Sequence, residues 1–147
     1  MKLSEELILM RNREAVWKAF DNVDNLKKWQ PTLSDFRNES GTPGQVGAVS
    51  RLTYMENGRT IKMTETITHR HQPVSFGGRY DAGNAVNELM NHFEATGPDE
   101  TRWTMEADFR LRGFFVILGP FFRRPVVKRI REDMNRFKTM LESGDLT

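Results

Sequence analysis

The spacing of apolar residues changes twice along this chain, and each change marks a switch of element type. Leu3, Leu7 and Leu9 alternate with polar positions and share a face with Glu5, which predicts a strand over Leu3 to Leu9. Ala15, Val16, Ala19 and Phe20 then recur at helical spacing behind Asn12, a residue type whose side chain accepts from the free amides of a helix start. A second short helix is expected to carry Leu26, Trp29 and Leu33, weakened by Pro31 and the polar Ser34 and Asp35. Beyond residue 35 the period falls to two for about 75 residues, the pattern of consecutive antiparallel strands. They are predicted near Phe36–Ser40, Ala48–Glu56, Thr60–Arg70, Pro73–Tyr80, Ala85–Ala95 and Arg102–Leu111. Asn57-Gly58 suits a tight hairpin, Gly97-Pro98-Asp99 a later turn, and Gly41 to Gly47 makes a Gly/Pro-rich connection.

Helical spacing returns in the tail, with Val126, Val127, Ile130, Met134, Phe137 and Leu141 on one stripe and a stop at Gly144. From Pro120 to Glu142 this helix is roughly 35 Å long at ~1.5 Å per residue, enough to cross the sheet. The predicted fold is therefore α+β: a seven-stranded curved antiparallel sheet, two short helices, and a long C-terminal helix across it. One amphipathic helix does not fill the concavity of such a sheet as a second sheet would, so a space between them is expected.

Composition narrows the function classes. The 147 residues contain no repeat or linker and are read as one domain, 1–147, with ten Phe, three Trp and eight Met to build its core. The absence of Cys excludes disulfides, Cys-ligated zinc, iron–sulfur clusters and thiol catalysis. No apolar run approaches the ~20 residues of a membrane span, and the N-terminus lacks the signature of a signal peptide, so cytoplasm is the expected location. The phosphate-loop, dinucleotide, nucleophile-elbow and HExxH templates are all missing, and His69 and His71 point to opposite faces of one strand. No metal and no cofactor are expected.

At this point the element order resembles that of the START-like superfamily, also called SRPBCC or polyketide cyclase/dehydrase-like, with its helix-grip fold. Local wording is similar too: EAVWKAF (Glu14–Phe20), NLKKWQPTL (Asn25–Leu33), SGTPGQVGA (Ser40–Ala48) and FRLRG (Phe109–Gly113). These motifs identify a fold and carry no chemistry. The resemblance implies a hydrophobic pocket between sheet and helix for a small apolar molecule such as a lipid, quinone or polyketide; a minority of relatives catalyse cyclisation, dehydration or hydrolysis.

Strand parity puts Leu52 and Tyr54, Ile61, Met63, Glu65 and Ile67, Phe76 and Tyr80, Leu89 and Phe93, and Trp103, Met105 and Phe109 on the inner face. The expected pocket lining from the sheet is Tyr54, Met63, Glu65, Phe76, Tyr80, Leu89, Asn91, Trp103, Met105 and Phe109; the last helix adds Phe122, Arg123, Val126 and Ile130. Glu65 interrupts an apolar run, and a buried carboxyl has a raised pKa and can exchange a proton with a ligand. It is the candidate catalytic residue, with Tyr80 or an inward Asn as its partner; the alternative is a salt bridge across the sheet or exposure to solvent. His69 continues the parity of Glu65 near a strand end, where exposure is expected. Asn87 and Asn91 face a ligand carbonyl unless a bulge turns Glu88, Met90 and His92 inward. Arg123 projects from the apolar stripe and suits an anionic ligand group, although Pro120 and Pro125 bracket it.

Net charge is only +2, yet seven basic residues and no acid lie between Phe109 and Arg131. The uncharged run Gly113 to Phe122 leads into them. It is read first as a roof for the pocket, then as a homodimer contact or a contact with an anionic membrane. A basic surface also allows an adaptor role on a membrane or RNA, with salt-sensitive binding.

Overall fold

The computed structural model describes all 147 residues. Strand β1 (Lys2–Leu9) leads to helices α1 (Arg13–Asp21) and α2 (Val23–Trp29). Six strands follow: β2 (Leu33–Ser40), β3 (Val49–Glu56), β4 (Arg59–His71), β5 (Ser75–Asp81), β6 (Ala85–Gly97) and β7 (Glu100–Leu111). A 3-10 segment (Gly113–Leu118) then enters helix α3 (Gly119–Ser143). All strands form one sheet in the order β1-β7-β6-β5-β4-β3-β2, antiparallel at every pairing. Because β1 pairs with β7, the α1–α2 crossover carries the chain from one edge of the sheet to the other.

Local chemistry sets the boundaries. Asn12 caps α1 by accepting from the Ala15 amide at 2.9 Å, and Asn22 caps α2 by accepting from Asp24 at 3.0 Å. The second helix is shorter than its apolar spacing implies. Gln30 precedes Pro31 and leaves the helical region at φ −116°, ψ 77°, so Leu33 begins β2 instead of extending α2. Asn57 and Gly58 take φ of 50° and 74°, the left-handed pair that a two-residue turn between twisted strands requires.

Parity holds through β6, where Asn91 and Phe93 are buried while Glu88 and His92 reach Arg79 and Glu106 on the other face. It fails in β4, where a bulge between Ile67 and His69 reverses the faces. His69 turns away and hydrogen-bonds Ser75 at 2.7 Å; Arg70 takes the inner position, 5.3 Å over the Trp17 ring and 2.7 Å from Asp21.

The core is a cluster of rings at one end of the sheet. Trp17, Phe20, Trp29, Phe93, Trp103 and Phe137 meet mostly edge-on, with centroids 5.1 Å apart for Phe20–Phe93 and 5.2 Å for Trp103–Phe137. Trp17 belongs to the buried stripe of α1 although its spacing did not predict it. Helix α3 is tied to both margins of the sheet. Arg131 pairs with Glu5 at 2.9 Å and the Lys138 ammonium donates to the Ile8 carbonyl at 2.6 Å, while Arg129 donates to Thr32 at 2.8 Å and pairs with Glu56. No helix is long and apolar enough to cross a membrane.

Candidate functional site

Between these fastenings the concave face is not filled. Two adjoining cavities, about 330 and 260 Å³, share Leu26, Trp29, Gln30, Glu65, Tyr80, Leu89 and Met105. The first reaches towards Arg70, Phe76, Asn91 and the Pro43–Gln45 loop; the second runs under α3 among Leu52, Tyr54, Met63, Phe109, Ile130 and Asp133. A small-ligand pocket is typically ~300–1,000 Å³, apolar with a few placed polar groups. The chamber has that character and a polar junction, Glu65 and Tyr80, at its middle.

Glu65 and Tyr80 are partners across the β4–β5 ladder. Glu65 is 8% exposed, and burial pushes its carboxyl above the usual range; interaction with the Tyr80 hydroxyl pulls the other way without cancelling it. Tyr80 is itself raised, first by burial and then by the neighbouring Glu65 charge. Its ring folds back over Gly78: a methyl there would come within 3.2 Å of the ring and 3.3 Å of the hydroxyl. Tyr54 is raised by burial and then by Glu65 and Asp133, and its hydroxyl donates to Gln30 at 2.9 Å.

The helix side of the second cavity adds Asp133, pushed up to about 6 by burial against the opposing effect of Arg129 and Arg136. The Asn87 side-chain oxygen and the Trp29 indole nitrogen are buried without a partner in the protein. A ligand hydroxyl or carbonyl that reaches such a group recovers a hydrogen bond worth ~1–3 kcal/mol in a buried setting.

Of the residues expected to line the pocket, Tyr54, Met63, Glu65, Phe76, Tyr80, Leu89, Asn91, Met105, Phe109 and Ile130 border one or both cavities. The alternative salt bridge of Glu65 across the sheet is not formed. Four residues lie elsewhere. Trp103 is fully buried in the ring cluster, and its indole N–H donates to Asn91 at 2.9 Å, which ties up that amide as well. Phe122, 36% exposed, and Val126 belong to a part of α3 that extends beyond its dense packing. Arg123 turns outward and donates to the Lys2 carbonyl at 3.5 Å, on the outer groove between β1 and α3. None of the uncharged run borders either cavity, and Phe114, Ile117 and Phe121 stand exposed.

Leu26, Trp29, Gln30, Arg129 and Asp133 line the cavities without having been expected there. Asp133 carried a signal, since it lies three after Ile130 and four before Phe137 and so projects from the apolar stripe. Arg70 carried none, because only the bulge brings it inward.

A curved antiparallel sheet gripping one long helix over an apolar chamber defines a helix-grip, START-like protein. The sequence matches the family described as polyketide cyclase/dehydrase and lipid transport over residues 2–142, and the chain belongs to that family. Solved structures agree on the fold. The Zhui aromatase/cyclase of Streptomyces sp. R1128 superposes with a TM-score of 0.83 at 13% identity, over 97% of this chain and 93% of that one. A START superfamily protein from Mycobacterium smegmatis gives 0.81 at 11% identity, over 97% of each chain. TTHA0849 from Thermus thermophilus gives 0.81 at 12% identity, over 98% of this chain and 99% of that one. Identities this low speak for the fold alone. No curated protein sequence matches the chain.

Proposed function

We propose that the protein binds a small, largely apolar molecule of the lipid, quinone or polyketide kind between its sheet and α3, with a polar group of that molecule at the Glu65–Tyr80 junction. The observation that carries this reading is the chamber itself, two adjoining cavities that meet at Glu65 and Tyr80, the second of them lined mostly by apolar side chains. Native mass spectrometry of the purified chain, followed by solvent extraction, tests it. So does a thermal-shift panel of fatty acids, quinones, sterols and polyphenols. A bound molecule, or a rise in melting temperature that Leu89→Trp removes by filling the chamber, supports the reading. An empty protein with no shift across the panel overturns it.

Glu65 favours a second reading, a cyclase or dehydratase acting on a polyketide-like substrate. A carboxyl with a raised pKa beside a phenol can deliver a proton to a ligand carbonyl or remove one from the adjacent carbon. Under this reading Glu65→Gln keeps binding and abolishes turnover. Equal turnover by the variant rules it out.

A further inference from the structure

Exposed apolar side chains cluster at a tip made of the 3-10 segment and the first turn of α3. Phe114, Val116, Ile117 and Phe121 are 71%, 58%, 70% and 78% exposed, and none of them borders either cavity. An exposed cluster of this kind marks a contact surface. Residues three and four apart share a helix face, and the series Phe114, Ile117, Phe121 runs on as Arg124 and Lys128. Apolar side chains at the tip thus give way to cations one turn later.

The charges sort themselves in the same sense. Arg110, Arg112, Lys128 and Arg131 are paired with Asp108, Asp81, Glu132 and Glu5. Arg123 and Arg124 have no acidic partner; the Arg123 guanidinium donates to the Lys2 carbonyl instead. Two cations without an acidic partner, Arg123 and Arg124, therefore follow directly on the apolar tip.

We propose that this tip is a docking surface for an anionic lipid bilayer, with Phe114, Ile117 and Phe121 at the acyl boundary and Arg123 and Arg124 at the phosphates. The dimensions agree. From Ile117, at the end of the 3-10 segment, to Arg124 in α3 the chain rises by about 10 Å, and interfacial apolar groups lie ~5–10 Å below the headgroup boundary. A second copy of the chain fits less well, because two tips meeting face to face bring two sets of unpaired cations together with no acid between them. A nucleic acid pairs with the cations and leaves the rings of Phe114 and Phe121 in water.

The test is sedimentation of the full chain with phosphatidylcholine vesicles, and with vesicles in which part of that lipid is phosphatidylserine, beside light scattering in solution. The protein partitions onto the anionic vesicles and only weakly onto the neutral ones. Arg123→Gln/Arg124→Gln lowers partitioning about 25-fold, roughly fivefold for each Arg at an anionic surface. Ile117→Ser/Phe121→Ser abolishes it with the melting temperature unchanged, because both side chains are solvated in the free protein. The proposal is overturned by equal partitioning onto the two vesicle types, or by none onto the anionic vesicles. It is also overturned by a solution dimer that the Ser pair dissociates, or by RNA binding that the Ser pair leaves intact while vesicles are ignored.

Discussion

From Met134 onward α3 buries Met134, Phe137 and Leu141 to 2%, 0% and 7% exposure against Trp29, Trp103 and their neighbours, whereas before Ile130 the same helix buries no residue as fully. The difference comes from what each half faces. Under the C-terminal half, rings from α1, α2, β6 and β7 interlock edge to face. Under the other half Leu52, Tyr54, Met63, Leu89 and Phe109 of the sheet border the second cavity. There α3 is held by Arg129 on Thr32 and Glu56, at the rim. A single amphipathic stripe thus ends a core at one end and spans a chamber at the other, and the partners decide which.

The largest effect expected from breaking this contrast is Phe137→Ala. Emptying a dense site costs ~3–5 kcal/mol, read as a lower urea midpoint, while Ile130→Ala beside existing space costs under about 2 kcal/mol. Equal losses would mean that the two halves are packed alike. Next comes Asn91→Leu, which strands the Trp103 indole N–H inside the ring cluster and costs ~1–3 kcal/mol. The same change leaves ligand response in place if Asn91 serves the core, and removes it if the amide serves the chamber.

A further effect is one of pH. Burial raises Asp133 from 3.8 to about 6, so the folded chain holds this proton more tightly than the unfolded chain does. Its contribution to stability is complete below the unfolded value and is lost as pH rises through the folded one. Glu65 acts in the same direction. Asp133→Asn cannot ionise, so its urea midpoint gains on that of the parent chain between about pH 4 and about pH 7. A constant difference would mean that the chamber end of α3 leaves Asp133 in water.

The fold was legible because periods of 3.6 and 2 are properties of backbone geometry that burial imposes on every turn and every pleat. Asn12, Asn57-Gly58 and Gly144 then fixed the ends through local hydrogen bonding. The site was legible as a face but not as a depth. Parity says that Trp103 and Met105 both point inward; it does not say that Trp103 meets Phe137 while Met105 borders empty space. The position along the strand at which the rings run out decides this, and it depends on pairings between residues far apart in sequence. Arg123 misled for a related reason. Its phase on the helix was right relative to Val127, but Val127 itself faces the outer groove, since that end of α3 projects past the packed face. The β4 bulge, which exchanges His69 for Arg70, leaves no trace in the residue pattern.

Gly78 sets where the phenol of Tyr80 lies, and it does so by lacking an atom. Added bulk at position 78 meets the Thr66 carbonyl at 3.3 Å on one side, which is backbone and held in the sheet, and the tyrosine on the other, which is free to swing. The junction's acid–phenol geometry therefore depends in part on a residue two places away that borders neither cavity. A single methyl there presses on the ring and hydroxyl of Tyr80 and shifts them by a few tenths of an ångström, with neither Glu65 nor Tyr80 replaced.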